Sequence, residues 1–388
     1  MCRNSFRKLI KINNVRWKTL PIYLVKIEKK NYYEKKSYAK EFYYGLHNFD
    51  NDKNNIEIIE FSEAKSIQQK LLLVFDKFMN KFLSLPFYTS RLTNLENLKK
   101  IIKTDHLFLI NEGVGFSSLL LLIVARVFKR INTSMFVMGL YSKNQKFKIL
   151  KFFHLFFIKL LVANTNNVLF LGNSEFEKAS STHKKYIDRF KFSPFCVDTE
   201  FWSNKNNKDI TKNQNIIFVG NDGNRDFDLL IKLAENLKEF NFIVISSSES
   251  FKELSLPNVK IYNGFWGSEQ ISDLDLKELY LDSKLSIIPL KDSYQPSGQS
   301  VALQSMSLGI PVMITKTKGF WQKNLFLNNE NIIFVDDFHY KTWIQKINEI
   351  FYDDLKIKKI SKNAKETILN NYKLEKFYDF LNQLTKKV

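Results

Sequence analysis

The amino-acid sequence predicts an α/β protein built from two doubly wound parallel-sheet domains in series. Three observations carry this. Short apolar runs of strand length alternate with longer stretches of helical periodicity. The alternation occurs twice, once on each side of Ser203–Gln214, a polar segment nearly free of apolar residues. The chain is also long and apolar enough, at 388 residues and 44% hydrophobic, to bury two cores.

In the first half the candidate strands are Ile22–Ile27, Asn55–Phe61, His106–Ile110, Met135–Met138 and Val168–Leu171. Helical patterns separate them at Lys36–Leu46, Ser66–Phe82, Gly115–Lys129 and Lys146–Val162, with a polar loop at Asn48–Asn55. The second half repeats the scheme. Strands are expected at Ile216–Val219, Phe242–Ile245, Val259–Tyr262, Leu285–Ile288, Val312–Ile314 and Ile332–Val335. Helices are expected at Phe227–Glu239, Asp275–Asp282, Ser300–Leu308 and Thr342–Phe351, followed by a C-terminal pair. The implied division is a first domain over 1–202, a linker over 203–214 and a second domain over 215–388, with the last helices packing back on the first domain.

Charge separates the halves. Residues 1–200 hold 34 Lys and Arg against 17 Asp and Glu, whereas residues 201–388 hold 25 against 23. The basic half calls for an anionic partner. A nucleic acid is set aside because no nucleic-acid-binding motif accompanies the charge. Two cysteines, Cys2 and Cys196, exclude a disulfide framework and point to a reducing, cytoplasmic compartment. The five histidines show no metal-ligand spacing, so no metal is expected. Met1–Lys11 is basic but lacks the apolar core of a signal peptide, so none is expected. Phe116–Val124 is too short to span a bilayer, and Lys146–Val162 is interrupted by lysines.

Glycine is scarce, and seven of the twelve fall between Gly220 and Gly319. The first cluster runs Gly220-Asn221-Asp222-Gly223-Asn224-Arg225 between a strand and a helix. Backbone N–H groups at such a turn favour an anion, and Arg225 adds a fork of donors suited to phosphate. The second cluster is Tyr294-Gln295-Pro296-Ser297-Gly298-Gln299-Ser300, opening a short helix that ends at Gly309-Ile310-Pro311-Val312. Gln304 lies one turn inside that helix, either able to donate to or accept from a hydroxyl or a satisfied polar residue between the two domains.

Taken together, Ile216–Thr315 resembles the C-terminal half of GT-B glycosyltransferases of the family 4 type, the glycosyl transferases group 1. The ending Gly309-Ile310-Pro311-Val312 matches their pattern, Gln304 stands at the glutamate that contacts the ribose, and Pro296 stands at the family's other glutamate. Asn173-Ser174-Glu175-Phe176, Pro194–Trp202 and Tyr262-Asn263-Gly264-Phe265-Trp266 are similar to further segments of the family. The resemblance implies two Rossmann-like domains facing across a cleft. It implies transfer of a hexosyl sugar from a nucleotide-sugar donor to a glycan or lipid-linked acceptor, as in cell-envelope polysaccharide synthesis, with retention of configuration and without metal or cofactor. The donor-binding set it implies is Gly220, Asn221, Arg225, Gly264, Phe265, Trp266, Ser297, Gly298, Gln299, Ser300 and Gln304. A glutamate at position 304 is expected to be tolerated. The alternative is a non-catalytic sugar-nucleotide-binding protein of the same fold, because Pro296 and Gln304 replace two carboxylates.

Three other features complete the reading. Asp273-Leu274-Asp275 precedes a helix and reads as a cap and first-turn acid rather than a metal motif. Gly113-Val114-Gly115 lacks the third glycine of a dinucleotide fingerprint, but its position after a strand brings Glu112 to the ligand-binding crevice of such a sheet, making it the catalytic candidate. Lys146–Val162 carries Lys148, Lys151 and Lys159 beside Phe153, Phe156, Phe157 and Leu160. It reads as a buried helix with solvated lysines or, alternatively, as a peripheral contact with the anionic inner face of the membrane.

Overall fold

The computed structural model describes residues 21–25, 38–50, 57–143, 145, 147–206, 208–264 and 271–385. They form two six-stranded sheets, parallel throughout. The first comprises β1 (Pro21–Val25), β2 (Glu57–Glu60), β3 (His106–Leu109), β4 (Asn132–Val137), β5 (Asn167–Phe170) and β6 (Phe190–Phe192), in the order β2-β1-β3-β4-β5-β6. The second comprises β7 (Asn215–Val219), β8 (Asn241–Ile245), β9 (Val259–Tyr262), β10 (Ser283–Ile288), β11 (Val312–Thr315) and β12 (Ile333–Val335), in the order β12-β11-β10-β7-β8-β9. Strands covered on both faces read as apolar runs rather than alternating ones, and every residue of β3, β10 and β11 is buried.

Each order reverses once, between β1 and β3 and between β7 and β10. In an open parallel sheet the loops leaving two strands at such a reversal diverge and open a crevice beyond the strand ends. Glu112 follows β3, Gly220–Arg225 follows β7 and Tyr294–Gly298 follows β10. Topology therefore brings the sequence-selected segments to the facing edges of the two sheets.

Several elements differ from expectation. The helix expected over Lys36–Leu46 is a 3-10 turn, Glu41–Tyr43, and a separate helix, Leu46–Asp50. Tyr44 and Gly45 between them are left-handed, at φ 49° and 87°, which interrupts the right-handed path. Helices Leu95–Lys103 and Asn173–Thr182 and strand β6 were not expected. Asn173–Thr182 and β6 are short and carry no apolar run, so packing rather than pattern specifies them; Leu95–Lys103 has an N-cap at Asn94 and buries Leu98, Ile101 and Ile102, a helical spacing present in the sequence but passed over. The segment 203–214 contains a 3-10 turn, Ile210–Lys212, whose Ile210 and Thr211 are buried.

The domains meet through specific contacts. Asn173 N–H donates to the Trp321 carbonyl at 2.9 Å. The Gln299 amide donates to the Leu171 carbonyl at 3.1 Å, and Ser307 Oγ donates to the Trp202 carbonyl at 2.7 Å. The last helix, Leu374–Thr385, sets Phe377 against Phe136 of β4, with ring centres 5.7 Å apart. No helix among the described residues is long and apolar enough to cross a membrane.

Candidate functional site

The site grows from the turn after β7. Asp222 starts it, accepting from Asn224 N–H at 3.0 Å through its side chain and from Arg225 N–H at 3.0 Å through its carbonyl. Asp226 ends it as the N-cap of helix Phe227–Asn236, accepting from Leu229 N–H at 3.0 Å. Two backbone bonds, Asp226 N–H to Pro289 O at 3.0 Å and Lys291 N–H to Asn224 O at 2.8 Å, fasten the turn to the chain leaving β10. The Arg225 side chain is thereby directed inward.

Its surroundings are unusual. Arg225 is only 3% exposed, yet Nε and Nη1 have no hydrogen-bond partner. The Asp222 carboxylate lies 3.2 Å from Nε as an ion pair, but outside hydrogen-bonding geometry. Burial pulls the guanidinium pKa below its ordinary value, and the charges of Asp222 and Tyr280 oppose that. Two glycines make room for it. A Cβ on Gly220 would clash with Nε, and one on Gly298 would lie 2.9 Å from Nη1. Gly298 is also left-handed, at φ 78°, and is the N-cap of helix Gln299–Leu308. The first-turn N–H groups of that helix have no intrahelical partners. A desolvated arginine with open donors thus stands beside a helix N-terminus, and both favour an anion.

Asn221 ties three loops together. Its oxygen accepts from Ser246 Oγ at 3.0 Å, Ser247 N–H at 2.5 Å and Ser247 Oγ at 3.0 Å, and its amide donates to the Gly264 carbonyl at 2.9 Å. Its polar capacity is spent on protein, which makes it a positioning residue for the chain between β7 and β9. Beyond it lies an open cavity of about 620 Å³ lined by Ser246, Ser247, Ser248, Phe251 and Asn263. Phe265 and Trp266 lie outside the described residues.

The segment after β10 lies between the domains. Asn224 Nδ2 donates to Gln295 Oε1 and to Ser297 Oγ, both at 2.9 Å. A Cβ on Gly139 would come within 2.9 Å of Gln295 Oε1, and one on Gly172 within 3.1 Å of Pro296 Cβ. Behind the segment, a Cβ on Gly319 would sit 2.5 Å from Tyr294 C and Gln295 O. Pro296 therefore packs on the first domain, and Gln299 is spent on Leu171.

Gln304 has a partner that sequence reasoning did not identify. Its amide donates at 2.8 Å to Oε1 of Glu41, an oxygen that also accepts from Trp202 Nε1 at 2.7 Å. Burial pushes the Glu41 carboxyl up to about 7, against the lowering effect of these bonds, and Asp273 raises it further. Asp273 itself accepts from Ala39 N–H at 2.9 Å, so it ties the two halves of the chain together, while Ser272 is the N-cap of helix Asp273–Leu281.

Glu112 occupies the first turn of helix Glu112–Phe128 and accepts from Met138 N–H at 3.1 Å. Its carboxylate thereby supports the Gly139 turn that meets Gln295. Close by in charge terms is Glu175, fully buried, with Oε1 accepting from Tyr141 N–H at 2.8 Å and Oε2 without a partner. Burial lifts Glu175 to about 8, and Glu112 adds to the rise. Glu175 was visible in Asn173-Ser174-Glu175-Phe176, but an acid in a first helical turn looks like any other until its burial is known.

This geometry frames the comparisons with known proteins. Residues 198–367 match the family model described as glycosyl transferases group 1. The two-domain fold is GT-B. A glycosyltransferase from Rickettsia africae is similar over 95% of this chain and 98% of its own, at 15% identity and a TM-score of 0.65. HepE of Anabaena, solved with UDP and glucose, is similar over 95% and 99%, at 12% identity and 0.65. The sucrose-phosphate synthase of Thermosynechococcus elongatus is similar over 95% and 99%, at 12% identity and 0.68. No curated protein matches the chain.

Proposed function

We propose that this group 1 glycosyltransferase chain transfers a hexosyl unit from a nucleoside-diphosphate sugar to a glycan or lipid-linked acceptor, retaining configuration and using no metal or cofactor. The observation that carries the donor assignment is Arg225, buried with Nε and Nη1 open, between Gly220 and Gly298 at a helix N-terminus. A diphosphate supplies what that arrangement lacks. Its oxygens would accept from Nη1 and from the N–H groups at Gln299 and Ser300. As the bond from sugar to phosphate breaks, charge grows on the diphosphate, and fixed donors in a dry site stabilise it without reorganising. The positive charge that a metal could bring is supplied by the guanidinium and the helix end.

The nucleoside would extend from the diphosphate along Asn221 and Gly264, with Ser297 and Gln304 on its other side. UDP is the first nucleotide to test, because HepE is solved with it. The acceptor would approach from the first domain, where Glu112 holds the Gly139 turn across from Gln295. The basic first half and the scarcity of cysteine support a cytoplasmic location at the inner membrane face.

The test is a thermal-shift panel of UDP-, GDP-, ADP- and CMP-sugars, followed by nucleotide release with acceptor present. A ligand bound to the folded chain raises the midpoint by mass action. Stabilisation by one diphosphate family plus acceptor-dependent release supports the transferase. Stabilisation without release in the presence of competent acceptors assigns a binding protein of the same fold, and a flat panel removes the donor assignment.

A further inference from the structure

Helix Ile67–Leu83 carries an apolar stripe on its outer side. Its buried side is mixed: Met79 and Leu83 are 1% and 3% exposed, Asp76, also 3% exposed, accepts from Thr89 and Ser90 N–H at 2.9 and 2.8 Å, and Gln69 donates to the Thr93 carbonyl at 3.3 Å. Six further apolar residues face outward, with Ile67, Leu71, Val74 and Phe78 each more than half exposed and Phe75 and Phe82 at 40% and 44%. At 3.6 residues per turn these six fall within an arc of about 100°. Lys70, Lys77 and Lys81, all exposed, run along one edge of the arc.

Helix Lys148–Ala163 beside it buries Ile158, Leu161 and Val162 and also presents an apolar outer face. Ile149, Phe152, Phe153 and Phe156 are 43–63% exposed, and Lys148 and Lys159 border them. His154 Nδ1 bonds to the Leu83 carbonyl at 2.7 Å, and Phe87 contacts both Phe75 and Phe157, which holds the two helices side by side. Chain continuity links this face to the cleft, since the loop entering the second helix begins at Gly139, opposite Gln295.

We propose that these two helices together form a docking face for an anionic phospholipid bilayer, with the aromatic and aliphatic side chains entering the interface and the lysines meeting the headgroups. An exposed apolar patch of this extent needs a covering phase. Basic residues bordering an apolar face are the composition that anionic interfaces select. A second copy of the chain is disfavoured by charge, because self-association would bring the lysine rows of two basic domains together. The assignment stands on exposure and charge, independent of the transferase reading.

The full chain is mixed with vesicles of neutral phosphatidylcholine alone or containing about 30 mol% phosphatidylglycerol, and bound protein is measured by flotation. Binding is expected with the anionic vesicles, falling as salt rises, and weak with neutral ones. Each basic residue at such a surface is worth roughly fivefold, so a Lys70/Lys77/Lys81→Gln variant should bind about a hundredfold less. Leu71→Gln/Phe78→Gln should weaken binding at least about tenfold without lowering the melting temperature, because both side chains are exposed. Absence of binding to either vesicle overturns the proposal. So does a dimer in light scattering that Leu71→Gln/Phe78→Gln dissociates, which would assign the face to a second copy.

Discussion

Replacing Arg225 with methionine separates binding from stability. The substitution keeps most of the side-chain length between Gly220 and Gly298 but removes the charge and the donors. A buried donor without a partner costs on the order of 1–3 kcal/mol, and Arg225 has such donors at Nε and Nη1. The unliganded variant should therefore melt at or above the parent's temperature. Binding moves the other way. A charge-assisted contact to a phosphate is worth about 1.5–3 kcal/mol, or roughly ten- to a hundredfold in Kd. With nucleoside diphosphate at about a hundred times the parent Kd, the parent gains about 2.7 kcal/mol. A variant weakened about a hundredfold gains only about 0.4 kcal/mol under the same conditions. Calorimetric titration gives the two Kd values and thermal unfolding gives the two midpoints. An unchanged Kd would refute the phosphate assignment, and a sharply lowered midpoint without ligand would show that the guanidinium supports the fold.

Other consequences can be checked alongside. The Glu175 carboxyl, raised to about 8 by burial, holds its proton more tightly folded than unfolded, so its contribution to stability is present below the ordinary range and is lost as pH rises through 8. That amounts to about 3 kcal/mol between about pH 6 and pH 9, and urea titrations should show Glu175→Gln flattening the slope; an unchanged slope rejects the role. Gly319→Ala should raise the donor Kd at least about tenfold, because its Cβ meets backbone of the 294–295 segment, whereas Gly223→Ala, with nothing within 4 Å, should match the parent; equal affinities would show that the segment does not hold the donor. Gln304→Glu would set a second carboxylate against Glu41, so its melting temperature should fall further than that of Gln304→Ala as pH rises above 7, and identical pH profiles would dissolve the pairing.

The fold was legible where one chemical requirement dominated. Strands covered on both faces must be apolar throughout, and β3, β10 and β11 stand out in the sequence for that reason. Glycine scarcity made Gly220 and Gly298 informative, and both make room for Arg225. The pairing of Gln304 with Glu41 was not legible, because 263 residues separate them and neither local sequence announces the other. That contact also reverses one expectation. A glutamate at 304 looked acceptable opposite a ribose hydroxyl, but opposite a buried carboxylate it places two acids on one set of donors. The helix expected over Lys36–Leu46 failed differently, since its periodicity ignored the left-handed pair Tyr44 and Gly45.

Helix Ile67–Leu83 shows why periodicity alone cannot say which side is inside. Its pattern of apolar residues is that of any amphipathic helix, and such a stripe normally faces the core. Here the buried side carries Met79 and Leu83 together with Asp76, whose carboxylate caps the N–H groups of Thr89 and Ser90, and Asn80, which donates to the Phe87 carbonyl at 2.7 Å. Rotating the helix to bury the apolar stripe would strip those backbone groups of their partners. Each would then stand unsatisfied in the interior, at about 1–3 kcal/mol apiece. The same rotation would carry Lys70, Lys77 and Lys81 towards the core. Polar satisfaction, with the burial of Met79 and Leu83, thus holds the helix with its apolar stripe outward. A fold that maintains such a face against water does so at a cost in solubility that only a covering surface removes.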